Sequence, residues 1–518
     1  MDSISSKKIA KNTILNFIGQ GIPLLVLIFT MPFIIKGLGT IQFGFISIVW
    51  VIIGNFAVFD LGLGRAINKF VSEAISKGNK SEVPQIIWTA VTVQLVFGVI
   101  GGVIFALITP FLVEHLLKIP ANLTQEALIS LYLLVPSIPI ILITASLSGV
   151  LSAYQRFDII NAVKIPVSSL TYILLLICVL LKFNLPEIVT VILFIRVLNL
   201  IIFAIFNFRI IPGLKRFSIS SGIMPRLFSY GGWVTVSNVV GPILVYLDRL
   251  LIGIILSMSA VAYYSVPYEA VTRLWIIPTS LTMVLFPSFS SLDGIGDKKK
   301  IDGLFAHSVK YIILGFGVLC LFVILFAKNI LGVWVGNNFA LKSVLPMQIL
   351  VLGVFINSVG HIPYTLLQAV GRPDITAKFH LAELPVFVIA AWLFINRWGI
   401  SGAAGAWTLR VFIDTVLLMW ASFKIYGLSF RSLKNNGAIS IVSAVVVLTL
   451  LAFTIKYLLS GYSLATQLFV VLLLFAVFIL FCWRIFFDEF ERDMFLNAIK
   501  IRNLIKNKKT RKINGYMQ

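Results

Sequence analysis

Ionisable side chains lie inside several long apolar stretches of this sequence, and their chemistry most needs explaining. Charged groups in hydrocarbon are costly, so they usually face a bundle interior or a water-filled cavity. Four arginines and four acids have this setting, and a fifth acid, Asp60, stands near the inner end of the second predicted span. The first eight are Arg196, Arg249, Arg273, Arg410, Asp248, Glu269, Glu383 and Asp414.

Two acid–base pairs are spaced four residues apart, Glu269 with Arg273 and Arg410 with Asp414. On a helix this spacing places both side chains on one face, so each pair predicts an internal ion pair. Ion pairs that only hold helices together are one interpretation. The other interpretation makes the acids counter-ion or ion-coupling sites, and the sequence leaves both open for Asp60, Asp248, Glu269, Glu383 and Asp414.

The remaining two arginines have no such partner. Arg196 has no acid within four residues, and Arg249 has only Asp248, which as a sequence neighbour points elsewhere on the helix. The fixed fork of donors on arginine matches the geometry of phosphate. We therefore predict that Arg249 and Arg273, together with Arg196 and Arg410, bind an anionic substrate group in a cavity.

Long apolar helices must position these side chains. Of 518 residues, 59% are hydrophobic and 12% are charged, whereas a soluble domain carries about 25% charged residues. Runs long enough to cross a bilayer recur along the chain, and we count about fourteen transmembrane helices. The predicted spans are 13–35, 41–63, 84–112, 127–152, 160–181, 187–208, 228–256, 260–288, 308–327, 343–368, 377–396, 400–422, 438–459 and 463–485.

The distribution of positive charge predicts the orientation of these helices. Net charge is +22, and most of the 42 Lys and Arg residues fall in alternate loops and in the C-terminal tail. The positive-inside rule then places both termini in the cytoplasm. The basic tail is better matched to an anionic lipid surface than to nucleic acid, so no nucleic-acid partner is predicted.

The sequence also repeats itself. Leu151, Ala153, Arg156, Asp158 and Ile159 recur in the same order as Leu367, Ala369, Arg372, Asp374 and Ile375, and the turn at Thr40 has a counterpart at Ser259. Six spans per repeat is an even number, so both halves share one orientation. We predict an N-terminal lobe at 1–211, a C-terminal lobe at 212–425, two further helices at 426–487 and a cytoplasmic tail at 488–518.

Short loops exclude several functions. They leave no room for a nucleotide-binding domain, and the sequence contains no phosphate-binding loop, HExxH or paired CxxC motif. We therefore predict a secondary transporter rather than an enzyme. No catalytic residue, metal or cofactor is predicted, apart from coupling to H⁺ or Na⁺ through the buried acids.

Several stretches together resemble a known family. The chain is similar to the bacterial lipid-linked oligosaccharide flippases of O-antigen and capsule assembly, in the multidrug/oligosaccharidyl-lipid/polysaccharide exporter superfamily. The matching stretches are Phe59-Asp60-Leu61-Gly62-Leu63-Gly64-Arg65, Leu247-Asp248-Arg249-Leu250, Ala262-Tyr263-Tyr264-Ser265-Val266-Pro267-Tyr268, Gln368-Ala369-Val370-Gly371-Arg372 and Gly399-Ile400-Ser401-Gly402-Ala403-Ala404-Gly405-Ala406-Trp407 with Arg410.

The resemblance implies two six-helix lobes that work by alternating access. It implies a cargo of oligosaccharide on polyprenyl pyrophosphate, moved from the cytoplasmic to the outer leaflet of the bacterial inner membrane. The cavity arginines would hold the pyrophosphate, and a polymerase and glycosyltransferases would be partners. The alternatives are a multidrug or cation antiporter of the same superfamily, or a non-transporting membrane scaffold.

Overall fold

The protein is almost entirely helical. The computed structural model describes residues 6–56, 60, 63–79, 81–220, 222–487, 489, 491 and 492, and these residues contain no β-strand. Most of the predicted tail at 488–518 lies outside the described residues. The helices are α1 Ser6–Asn55, α2 Leu63–Ser76, α3 Glu82–Phe111, α4 Thr124–Leu134, α5 Ser137–Ala153, α6 Phe157–Leu180, α7 Leu185–Ile210, α8 Met224–Ile255, α9 Met258–Thr272, α10 Ile276–Gly294, α11 Lys298–Tyr311, α12 Gly317–Val335, α13 Asn337–Ala369, α14 Pro373–Ala421, α15 Phe430–Asn435, α16 Ala438–Leu458 and α17 Leu464–Ile485.

Eleven helical stretches of the described chain are long and apolar enough to cross a bilayer. Many of their large apolar side chains are exposed, which suits contact with lipid; Leu107 and Leu450 are examples. The predicted class, an all-α multi-pass membrane protein, is thereby confirmed. The exact number of crossings and the division into two lobes stay predictions.

Glycine kinks divide the two longest helices. In α1, Gly39 has φ 73° and ψ 170°, and in α14, Gly399 has φ 58° and ψ −138°. Glycine adopts positive φ without the penalty that a Cβ imposes. Both kinks fall in the short segments that the sequence predicts between spans, so α1 and α14 each continue from one predicted span into the next.

The first compact unit contains Met1–Ile276, Ala327–Ile356 and Arg372–Leu417. Within it, α1 packs against α6 and α9, while α5 packs against α2, α3 and α7. The α1–α9 contact is close: a Cβ added at Gly44 would overlap the carbonyl oxygen of Met258. This unit contains every site residue predicted from the sequence.

Of the described residues, the second compact unit contains Ile277–Phe326, Asn357–Gly371 and those that follow Leu417. Its α16 packs against α11, α15 and α17. A buried ion pair ties α11 to the segment after α17, since Lys310 Nζ lies 2.7 Å from Glu491 Oε2. Tyr311 donates a hydrogen bond of 2.7 Å to the other oxygen of that carboxylate.

Two turns matched by the sequence repeat share local geometry. Gln155 and Gly371 occupy matched positions, with φ 56° and 76°. In the residues that follow, Arg156 Nε donates to Asp158 Oδ1 at 3.0 Å, and Arg372 Nε donates to Asp374 Oδ1 at 3.0 Å. These hydrogen bonds raise the pKa of both arginines above its ordinary value. The repeat is therefore visible in backbone and side-chain geometry at these turns.

Candidate substrate site

A charged cavity of about 380 Å³ lies among helices of the first unit. Helices α1, α6, α7, α8 and α9 contribute to its lining, as does the single turn of 3₁₀ helix that follows α9. Three of the four predicted substrate-binding arginines line it, together with one acid; they are Arg196, Arg249, Arg273 and Glu269. At the cavity wall three guanidinium groups thus face one carboxylate.

Arg249 is the most enclosed of these arginines, with 3% of its surface exposed. Its guanidinium lies 4.0 Å from the ring centroid of Tyr268 and 5.3 Å from that of Tyr246, distances typical of cation–π contacts. Its Nη1 lies 3.4 Å from Glu269 Oε1, while Nε and Nη2 have no hydrogen-bond partner within the described chain. Two aromatic rings and one acid therefore hold Arg249 in place, and two of its nitrogens keep hydrogen-bond donors that no described residue uses.

Glu269 bridges two arginines. Besides its contact with Arg249, its Oε2 accepts a hydrogen bond of 3.1 Å from Arg273 Nη2. The predicted pair four residues apart on one helix is therefore formed. The contact with Arg249 was not predicted from the sequence, because it joins α8 to α9 and depends on how these helices are rotated.

Arg196 brings a third guanidinium to the cavity, from α7. No ion pair involving it occurs among the described residues, and its Nε is buried without a hydrogen-bond partner. Asn199, one turn later on α7, also lines the cavity and has a buried Oδ1 without a partner. Arg196 and Asn199 therefore bring polar atoms without partners to the same cavity.

Asp248 is fully buried and does not line the cavity with Arg196, Arg249 and Arg273. It accepts a hydrogen bond from the hydroxyl of Tyr264 and another, of 2.7 Å, from the backbone N–H of Arg249. One donor comes from α9 and one from its own helix. Asp248 therefore does not form an ion pair with its sequence neighbour, and its carboxylate is already satisfied by these donors.

Asp60 is also buried, and it lies in a polar network of the first unit. Gln94 Nε2 donates to Asp60 Oδ1 at 2.7 Å, and the backbone N–H of Gly64 donates at 3.2 Å. The hydroxyl of Ser146 in turn donates to Gln94 Oε1. Asp60 does not line the cavity with the three arginines.

A second charged group lies between the two parts of α14. Arg410 Nη1 is 3.7 Å from Glu383 Oε2, and His380 Nε2 is 3.6 Å from Asp414 Oδ1. The predicted ion pair between Arg410 and Asp414 is wrong, since these two residues form no ion pair. The kink at Gly399 allows the first part of α14 to present Glu383 to Arg410, and this contact replaces the one along the helix.

Arg410 is thereby separated from the other three arginines. It and Glu383 line a groove of about 220 Å³ whose other walls are apolar, with Phe387 stacked 5.7 Å from the guanidinium of Arg410. The structure thus places Arg196, Arg249 and Arg273 at one cavity and Arg410 at another.

Sequence reasoning missed the aromatic and polar side chains around these charges. Tyr246 and Tyr268 stack on Arg249, Asn199 joins Arg196, and His380 contacts Asp414. The spacing of Asn199 from Arg196, and of His380 from Glu383, is one helical turn, which is a usable signal. Tyr246 gave none, because aromatic residues are common throughout apolar helices, and Tyr268 was noted only as the end of a stretch that carries the family resemblance.

Apolar helices around a cavity lined by buried charges define a multi-pass membrane transporter. Solved structures share this fold. An inward-facing transporter of the multidrug resistance MATE family of the MOP superfamily matches with TM-score 0.68 and 14% identity, over 79% of this chain and 98% of that one. The lipid II flippase MurJ, in an inward closed conformation, matches with TM-score 0.66 and 13% identity, over 92% and 99%.

The chain belongs to the family of polysaccharide biosynthesis proteins, which residues 9–293 match. A putative O-antigen transporter of Shigella flexneri is 31% identical over 418 residues, which are 80% of this chain and 97% of that protein. The predicted family is therefore confirmed. Its relatives are transporters and flippases rather than enzymes.

Proposed function

We propose that this protein flips an oligosaccharide carried on polyprenyl pyrophosphate from the cytoplasmic to the outer leaflet of the bacterial inner membrane. It does so by alternating access, with both termini in the cytoplasm, and it supplies O-antigen or capsule assembly. The glycosyltransferases that build the oligosaccharide act before it, and a polysaccharide polymerase acts after it. Family membership and the name of the Shigella flexneri relative support the cargo class.

The observation that carries this proposal is the charge of the cavity. Three guanidinium groups meet one carboxylate there, and two of the arginines keep buried donors without partners. An anion with several oxygens, such as pyrophosphate, satisfies donors of this kind and removes the surplus positive charge. A cationic drug would meet repulsion, so the cavity disfavours a multidrug or cation antiporter.

The size of the cavity fits one part of the cargo. Its volume of about 380 Å³ falls within the range of about 300–1,000 Å³ that holds drug-sized ligands. The cavity accommodates the pyrophosphate and adjacent sugar, while the prenyl tail stays in lipid. Transfer of these polar groups through hydrocarbon without partners would cost several kcal/mol for each group. A polar cavity lowers that barrier.

The membrane potential favours outward movement of this cargo. Each elementary charge that crosses 100 mV is worth about 2.3 kcal/mol, so a pyrophosphate with about two negative charges gains about 4–5 kcal/mol on an inside-negative membrane. We propose that this term drives export, alone or together with ion antiport through buried acids.

Reconstituted transport tests the proposal. The purified protein is placed in liposomes with a fluorescent polyprenyl-pyrophosphate oligosaccharide, and accessibility of the probe in the outer leaflet is followed with time. We expect Arg249→Ala and Arg273→Ala to slow transport at least about tenfold, because a hydrogen bond to a charged group contributes about 1.5–3 kcal/mol.

Arg397→Ala is the matched control, because Arg397 is exposed and does not line the cavity. This variant should transport at the wild-type rate. Wild-type transport by both Arg249→Ala and Arg273→Ala, at equal amounts of folded protein, would contradict the assignment of the cavity. No transport by the wild-type protein would contradict the cargo itself.

A further inference from the structure

Among the acids predicted to couple transport to an ion gradient, Glu383 and Asp414 differ from the rest. Asp248 and Asp60 accept ordered hydrogen bonds, and Glu269 contacts two arginines. Neither oxygen of Glu383 has a hydrogen-bond partner within the described chain, nor does Asp414 Oδ1. Both side chains are at least nine-tenths buried. Unsatisfied carboxylate oxygens at such depth are costly, unless a cation or a proton neutralises them.

The two parts of α14 bring four ionisable side chains together. His380 and Glu383 stand one turn apart before the kink, and Arg410 and Asp414 stand one turn apart after it. Each side chain before the kink contacts one after it. His380 Nε2 lies 3.6 Å from Asp414 Oδ1, and Glu383 Oε2 lies 3.7 Å from Arg410 Nη1. Glu383 and Asp414 also act on each other electrostatically, so two like charges share this site.

Neighbouring elements add few charges to this cluster. Arg410 also interacts electrostatically with Asp248 and Tyr268, whose own contacts are with Tyr264 and Arg249. The hydroxyls of Thr408 and Thr415 on the same face of α14 donate to backbone carbonyls of α13, at Ile349 and Ile356. The charge balance of the cluster therefore depends on His380, Glu383, Arg410 and Asp414.

One proton neutralises this cluster. With His380 neutral, the two carboxylates and one guanidinium carry a net charge of −1, and a single bound proton brings it to zero. The walls of the adjoining groove are apolar, which favours the neutral state. A metal cation is a poorer occupant, because Arg410 would repel it and no three His, Cys, Asp or Glu side chains of the described chain are placed to hold one.

We propose that His380, Glu383 and Asp414 share one exchangeable proton and form the site through which cargo export is coupled to proton entry. This inference rests on the proposed function. The proton arrives from the outer side, binds a carboxylate or the imidazole, and leaves to the cytoplasm as the protein returns without cargo.

Charge counting predicts how variants differ. Glu383→Gln and Asp414→Asn each remove one negative charge, so the cluster is neutral without a proton and should bind none. His380→Gln leaves the net charge at −1, so it should still bind one proton, on a carboxyl group. Glu187→Gln is the matched control: Glu187 lies in the capping box at the start of α7, where glutamine serves equally well.

Infrared titration measures the proton without any cargo. The purified protein is titrated in lipid nanodiscs, and the carbonyl band of protonated carboxyl groups is recorded against pH. The wild-type protein should show one of two bands, that of a buried protonated carboxyl group or that of a protonated His380 imidazole. The Glu383→Gln and Asp414→Asn variants should show neither band. The His380→Gln variant should show the carboxyl band. Equal proton binding by wild type and both acid variants would overturn the inference.

Transport under a pH gradient provides the second measurement. One pH unit, acidic outside, should shift the cargo distribution about tenfold per coupled proton in wild type and in Glu187→Gln. Folded Glu383→Gln and Asp414→Asn should show no shift, while still exchanging cargo across the membrane. Wild-type transport without any response to pH would overturn the coupling and leave the flippase function intact. Absence of all transport, with the infrared bands present, would overturn the cargo assignment instead.

Discussion

At the scale of single residues, the main finding is that one acid controls two of the cavity arginines. Glu269 contacts Arg249 at 3.4 Å and Arg273 at 3.1 Å, and its side chain is 25% exposed. An anionic cargo needs the same guanidinium groups that this carboxylate occupies. We therefore expect Glu269 to compete with an anionic cargo and to favour its release, and we expect a cavity without this acid to retain an anion more tightly.

Replacement of Glu269 by glutamine tests this competition. We expect Glu269→Gln to bind a fluorescent polyprenyl-pyrophosphate probe about tenfold more tightly, a difference of about 1.4 kcal/mol, and to release it more slowly. Equilibrium binding and dissociation of the probe are measured in nanodiscs. The surface variant Glu187→Gln should match wild type. Weaker binding by Glu269→Gln would instead show that the acid positions the arginines for cargo.

Pairs along one helix could be read from the sequence, whereas pairs between helices could not. The contact of Glu269 with Arg273 follows from four-residue spacing on a helix. The contact of Glu383 with Arg410 depends on the rotation and depth of two helical segments, which spacing does not specify. The same spacing argument failed for Asp414, because an acid from another segment was available to Arg410.

At the scale of helices, glycines decide where long apolar runs break. The segments between predicted spans coincide with the kinks at Gly39 and Gly399, so two of the divisions were predictable from the sequence. The predicted span 127–152 lies within Ala121–Ala153, one of the stretches long and apolar enough to cross a bilayer, but it consists of two helices, α4 and α5, which meet around Pro136. Hydropathy missed this break, because the flanking residues remain apolar on both sides of the proline.

The kink at Gly399 is the structural basis of the proton-binding cluster, and a Cβ at that position tests it. Gly399 combines φ 58° with ψ −138°, which L side chains rarely adopt. We expect Gly399→Ala to destabilise the fold by about 1–3 kcal/mol and to lower the Tm of the purified protein.

Gly405 on the same helix offers a control, because alanine at this position should not lower the Tm. A Cβ there meets only ordinary van der Waals contact, 3.7 Å from the ring of Phe394. Alanine is about 1 kcal/mol more favourable than glycine within a helix, so Gly405→Ala should leave Tm unchanged or raise it. Equal Tm values for the Gly399 and Gly405 variants would mean that the kink tolerates a side chain.

At the scale of the whole molecule, composition predicted the class of the protein, and the distribution of charge predicts an orientation that stays a prediction. A hydrophobic fraction of 59% excludes a soluble fold, and the bias of Lys and Arg towards alternate loops predicts cytoplasmic termini. Helix packing could not be obtained in this way, because lipid-facing and buried surfaces of such helices are equally apolar.

Cysteine labelling in intact cells tests the predicted orientation. The three native cysteines, Cys178, Cys320 and Cys482, are buried, so the background should be low. We expect a membrane-impermeant maleimide to label Gly461→Cys, in the turn before α17, from outside the cell. Asn79→Cys, between α2 and α3, should be labelled only after permeabilisation. The reverse pattern would invert the proposed direction of transport.

The hydroxyls of Thr40 and Ser259 lie 3.2 Å apart, and these two residues occupy matched positions of the sequence repeat. On the prediction that the two halves are related by a twofold axis along the membrane normal, matched positions lie on opposite sides of that axis, so we expect a matched pair in contact to lie beside it. A spectroscopic label at this point can serve as an internal origin. The distance from this label to a residue of one half should equal its distance to the matched residue of the other half while both halves move alike. The two distances should differ once one half moves alone.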